Sequence, residues 1–201
     1  MTLRRFVPVL AVALVACGGE PTGPAALGSD FQYSFSDPVG DTLPAPTNVF
    51  QRALDVRALD VGLTDDSIFV RVEFTGPISR WSQMALNSID GFIDFDFDDD
   101  QSTGYPAATQ EFGAVDAQMG VESYISMRDD GNGHLLRRDG QSDQWKNVNV
   151  AFGERSLIIR FARADVGETD GVFRVSAMIG GTNRWITDLV PSNGHHRVSA
   201  R

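Results

Sequence analysis

From Asp30 onward, apolar and polar positions alternate with a period of two, the spacing of a strand with one buried face. Val56, Ala58, Asp60 and Gly62 alternate with Arg57, Leu59, Val61 and Leu63. After the turn signal Asp65-Asp66, Ile68, Val70, Val72 and Phe74 alternate with Phe69, Arg71 and Glu73, which predicts a hairpin. Ile89, Gly91, Ile93, Phe95 and Phe97 interleave with Asp90, Phe92, Asp94, Asp96 and Asp98 in a third strand. Further strands are predicted over 116–127, 134–138, 148–152, 157–161, 172–179 and 184–189. Explicit turns punctuate them: Asp130-Gly131-Asn132-Gly133, Gly153-Glu154-Arg155 and Gly180-Gly181-Thr182-Asn183. Helical periodicity is confined to single turns near 48–53 and 163–166. About nine strands at this spacing predict an all-β fold, a jelly-roll-like antiparallel β-sandwich, with an open barrel as the alternative.

The beginning of the chain follows a different pattern. Arg4 and Arg5 precede an apolar run from Phe6 to Ala16 that only Pro8 interrupts. A basic start and a short apolar stretch are the marks of a secretory signal, and the run is too short to span a bilayer. It ends in Leu14-Val15-Ala16-Cys17, followed by Gly18-Gly19, and Cys17 is the single cysteine of the chain. This ending resembles the lipobox of bacterial lipoproteins. The resemblance implies cleavage before Cys17, diacylglycerol on its thiol and an acyl chain on its amine, and two or more chains anchor stably. Gly18 is not the aspartate that often retains lipoproteins at an inner membrane, so the resemblance points to the outer membrane or cell surface. The expected organisation is a signal peptide over 1–16, a lipidated cysteine and Gly/Pro/Ala-rich tether over 17–30, and a β-sandwich over 31–201.

Charge narrows the partners. The 201 residues carry a formal net charge of −10, and cleavage before Cys17 removes Arg4 and Arg5 as well. Phosphate backbones are held by clustered Lys and Arg, and no such cluster occurs, which argues against nucleic acid. A single cysteine also excludes an intrachain disulfide and a zinc site built on cysteines.

The acidity is concentrated. The window 90–100 holds six aspartates, and on a strand Asp94, Asp96 and Asp98 share one side while Ile93, Phe95 and Phe97 share the other. Like charges at this spacing repel, and a hard divalent cation is the simplest compensation, because Ca²⁺ takes six to eight oxygen ligands. The stretch Asp96-Phe97-Asp98-Asp99-Asp100-Gln101-Ser102-Thr103-Gly104 offers alternating carboxylates and then a turn with free carbonyls. Asp96, Asp98 and Asp100 are therefore candidate ligands of a structural calcium ion. The glycine and helices of an EF-hand are absent. The alternative is a solvated acidic rim that keeps an edge strand from pairing.

Taken together, Asp37-Pro38-Val39-Gly40-Asp41, Asp55-Val56, Phe95-Asp96-Phe97-Asp98, Ser102-Thr103-Gly104-Tyr105-Pro106 and Gly113-Ala114-Val115-Asp116 resemble the family 9 carbohydrate-binding modules and the broader DOMON-like β-sandwiches. That resemblance implies Asp96 and Asp98 as a calcium pair, with Asp116 matching the Gly-x-Asp ligand after one additional residue. Asp37 and Asp41 match the opening turn, where a Pro/Gly turn with Asp caps is the alternative. The implied function is carbohydrate binding.

The resemblance aligns no sugar-binding residue, so candidates come from aromatic side chains with polar neighbours. Trp81, Trp145 and Trp185 are the candidate ligand platforms, with Tyr105 and Tyr124 in support, and partly buried packing is the alternative for each tryptophan. No catalytic residue is expected: Gly-x-Ser-x-Gly and His-Glu-x-x-His do not occur, and His134, His195 and His196 have no triad or metal-ligand spacing. The expected function is a lipid-anchored envelope binding module for a polysaccharide or glycan. Two alternatives remain. One is an assembly lipoprotein that contacts another envelope protein. The other is a haem-binding DOMON-like redox domain using Met84, Met119, Met127 or Met178 with His134.

Overall fold

The computed structural model describes residues 31–44, 54–111, 118–127, 134–138, 143–167, 170–181 and 185–199. Cys17, the signal and tether segments, the turn near 48–53 and Asp116 lie outside the described residues.

The predicted hairpin forms as β2 (Val56–Leu63) and β3 (Ser67–Phe74), paired antiparallel with Val61 opposite Val70. A register shift between Val56 and Ala58 changes the phase of β2, so Val56 enters the core together with Leu59 and Val61. β1 (Tyr33–Ser36) adds to β2, and β11 (Ser156–Ala162) and β10 (Asn149–Phe152) add to β3, giving a five-stranded sheet ordered β1-β2-β3-β11-β10.

The second sheet is built around β4 (Ile89–Asp96) and β12 (Val172–Gly181), which pair along the whole of β4. β7 (Ser123–Ser126), β8 (His134–Arg138) and β9 (Asp143–Asn147) extend it on one side. On the other side β13 (Ile186–Val190) and β14 (His196–Ser199) pair with successive halves of β12. The order is β13-β12-β4-β7-β8-β9, with β14 on β12.

Alternation decides what faces what. Phe173, Val175, Ala177 and Ile179 of β12 and Ile93 and Phe95 of β4 meet Leu59, Val61, Val70, Val72, Leu157 and Ile159 of the opposing sheet in one core. Phe95 meets Phe161 edge-on at 5.4 Å across the two layers. The fold is an all-β antiparallel sandwich. At one side of the sandwich Phe35 of β1 stacks on His196 of β14 with ring centroids 4.3 Å apart, and the Tyr33 hydroxyl donates to the Ser199 carbonyl.

The other side chains of β4 and β12 face away from this core, and Ala108, Thr109 and Gly120, from the described parts of the segment between β4 and β7, contact them. This excursion holds the short pair β5 (Tyr105–Pro106) and β6 (Gly120–Val121) and one helical turn, α1 (Ala108–Glu111). A second single turn, α2 (Arg163–Val166), follows β11 where the sequence places it.

Candidate functional site

The excursion stands on aspartates. Asp94 and Asp96 project from the outer face of β4 and are 3% and 0% exposed, so each needs local partners. Asp94 Oδ2 accepts the amide of Ala108 at 2.6 Å, at the first turn of α1. Asp96 Oδ1 accepts the Asp100 amide and Oδ2 the Gly120 amide, both at 3.2 Å, which closes the loop after β4 and seats β6 on it. A side chain at Gly120 has no room: its Cβ would lie 2.2 Å from the Thr103 carbonyl oxygen.

Asp96, Asp98 and Glu122 each place a carboxylate oxygen within 4.8 Å of the others. Glu122 Oε2 accepts the Phe97 amide at 2.8 Å. The Thr103 hydroxyl stands 2.9 Å from Asp98 Oδ2, 3.0 Å from Glu122 Oε1 and 2.9 Å from the Asp100 carbonyl. It carries one proton and can serve only one of these acceptors. A carboxylate oxygen it does not serve is left facing like charge. Burial, joined by the nearby Asp98 and Asp96, pushes Glu122 up to about 7, and burial also raises Asp96.

A donor set of oxygens alone, from carboxylates, a hydroxyl and carbonyls, suits a hard divalent cation rather than zinc or copper. The sequence reading and the geometry share Asp96 and Asp98. Asp100 instead turns to its own loop: Oδ1 accepts the Ser102 amide at 2.8 Å and the Ser102 hydroxyl at 2.7 Å, and these bonds hold its pKa down. The third carboxylate of the cluster is Glu122. A signal for it exists in the sequence, since Glu122 is the only charged residue between Met119 and Met127.

Asp99 faces the opposite way, with φ at +57°. Its carboxylate meets Arg174 at 2.5 Å and Arg197 at 2.9 Å, and these bonds outweigh burial and hold its pKa low. Arg174 also lies 3.4 Å from Asp96 and donates to the carbonyls of Asp99 (2.7 Å) and Gln118.

The three tryptophans do not converge. Trp81 opens a 3₁₀ turn after β3 and is half-buried. Trp185 precedes β13 and is 8% exposed, so its indole has little face to offer a sugar. Trp145 lies on β9, at the opposite edge of the sheet from β13, and its side chain is outside the described residues.

Tyrosines gather beside the acidic loop instead. Phe92, Asp94, Tyr105, Pro106, Ala108 and Tyr124 line a cleft of about 210 Å³, in which Tyr124 meets Phe92 edge-on at 5.5 Å. Tyr105 is 51% exposed and also borders a polar hollow of about 340 Å³ lined by Gln101, Ser102, Gln110 and Gln118. Of the methionines considered for haem, Met119, Met127 and Met178 are buried in apolar clusters and Met84 is exposed. The side chain of His134 lies outside the described residues.

Comparison of the sequence with protein-family models and with curated proteins finds no match.

Proposed function

We propose that the chain is a lipid-anchored binding module of a bacterial cell envelope. It binds carbohydrate at Tyr105, and a structural calcium ion at Asp96, Asp98 and Glu122 holds the loop beneath that residue. The observation that carries this reading is the position of Tyr105. The ring stands exposed between an aromatic cleft and a hollow lined by amide and hydroxyl side chains, which is the combination a sugar face and its hydroxyls require. Tyr105 directly follows Gly104, so the loop that a cation would lock also aims the ring. The cleft is smaller than the roughly 300–1,000 Å³ of drug-sized sites, in keeping with one sugar ring rather than a buried ligand.

The test is binding of the purified protein to an array of plant and bacterial polysaccharides, in millimolar Ca²⁺ and in EDTA. The expected result is calcium-dependent retention that Tyr105→Ala removes while the melting temperature holds. Retention unaffected by Tyr105→Ala, or none in calcium, overturns the site.

The assembly-lipoprotein reading has one observation in its favour. Met84 and Leu86, beside Trp81, are 67% and 58% exposed and offer apolar contact area. An array without any retained glycan, followed by loss of a cross-linked envelope partner in Met84→Ser with Leu86→Ser, selects that reading instead.

A further inference from the structure

A second group of carboxylates lies where the edge strands of the two sheets meet. Asp37, Asp41 and Asp188 each place an oxygen within 4.8 Å of the other two. Asp37 directly follows β1, the edge of the five-stranded sheet, and Asp188 is the central residue of β13, an edge of the other. The Leu43 amide donates to the Thr187 carbonyl at 2.8 Å, which lays the segment after β1 along β13.

These carboxylates are poorly compensated. Asp188 is 1% exposed and accepts the amides of Val56 at 2.7 Å and Leu189 at 2.9 Å. Exposed Asp41 accepts the Ser192 hydroxyl at 3.0 Å. Asp37 is 6% exposed, and its Oδ2 is buried without a hydrogen-bond partner among the described residues. A buried acceptor left unmet is costly, and a buried carboxylate oxygen facing two more carboxylates is costlier. Among the described residues no lysine or arginine forms an ion pair with any of the three.

We propose that Asp37, Asp41 and Asp188 hold a second calcium ion, which staples the edge strand of one sheet to the edge strand of the other. The ion would give the buried Asp37 oxygen the partner that no described residue supplies. Oxygen ligands drawn from a loop and a strand give irregular geometry, which Ca²⁺ accepts and Mg²⁺ does not. The site shares no residue with the acidic loop, so each ion stands or falls separately. Its effect is mechanical as well: β1 is the first strand after the tether, and the ion fixes the end of β1 to β13.

The test is equilibrium dialysis of the protein against Ca²⁺, counting bound ions. The wild type is expected to bind two. Asp41→Asn and Asp37→Asn should each bind one, Asp98→Asn should bind one, and Asp41→Asn with Asp98→Asn none. Asp41 is exposed, so its variant tests the ion without a folding penalty. Unchanged stoichiometry in both Asp41→Asn and Asp37→Asn overturns this site. Loss on those substitutions but not on Asp98→Asn keeps it and overturns the ion at the acidic loop instead.

Discussion

Arg174 Nε donates to Asp99 Oδ1 across 2.5 Å, and the same guanidinium donates to the Asp99 carbonyl at 2.7 Å. One side chain from β12 of the seven-stranded sheet thus grips both the backbone and the carboxylate of the acidic loop. Its remaining nitrogen faces buried Asp96 at 3.4 Å. Arg174→Met keeps the stem and removes the charge, which in EDTA leaves Asp96 without a cation and Asp99 with Arg197 alone. Breaking a buried pair from one side costs about 3–5 kcal/mol, and Arg174 is largely buried. The expected loss in chemical denaturation is about 3 kcal/mol; a loss below about 0.5 kcal/mol contradicts the role given to Arg174.

His196 carries a pH dependence. It stacks on Phe35, its Nε2 is buried without a hydrogen-bond partner among the described residues, and burial, with His195 adding repulsion, lowers its pKa to about 4. The unfolded chain takes up this proton near 6.5 and the native state only near 4. The native state therefore holds fewer protons between those values, and stability from this group falls as pH drops from 6.5 towards 4. The raised carboxyls run the other way, so the measurement is a difference. The melting temperature of His196→Phe minus that of the wild type should grow as pH falls across this window. A constant difference refutes the buried neutral histidine.

The lipid anchor has its own test. Cys17→Ser removes the thiol on which the proposed diacylglycerol would sit, and an apolar run of this length does not span a bilayer by itself. The variant expressed in a bacterial host should lose labelling by a fatty-acid analogue and leave the membrane fraction. Continued labelling would sink the lipobox assignment.

Much of the fold was legible because β2, β3, β4, β11 and β12 alternate against a single core. The strands that escaped are polar and marginal. β9 reads Asp-Gln-Trp-Lys-Asn and lies at a sheet edge, and β14 reads His-Arg-Val-Ser and buries only Val198. Short β1, with its Tyr-Ser-Phe-Ser, carries too few residues to register as a pattern. The strand expected over 116–127 is divided within the described residues into β6 and β7 at Glu122, whose carboxylate turns to the acidic loop.

The sites were legible in half. Asp96 and Asp98 announce themselves by their spacing along the chain at the end of β4, because local repetition is visible in one dimension. Glu122 reaches its cluster through the pairing of β7 with β4, and Asp188 through the contact of β13 with the segment after β1, neither of which composition records. Each does leave a trace: it is the only charged residue in a run of apolar and small residues, as in Ile186-Thr187-Asp188-Leu189-Val190. A lone carboxylate on such a strand is buried and needs a reason to be there.

The central claim is that calcium locks the loop from Asp96 to Gly104, and a thermal melt of the protein in EDTA and in millimolar Ca²⁺ tests it most directly. A ligand at a hundredfold over its dissociation constant adds about 2.7 kcal/mol to the folded state. For a domain of this size that is a rise on the order of 5–10 °C per ion. The account predicts a rise in the wild type that shrinks by that amount in Asp98→Asn and in Asp96→Ala with Asp98→Ala. A wild-type melt that calcium leaves unmoved, or a rise that survives Asp98→Asn in full, contradicts it.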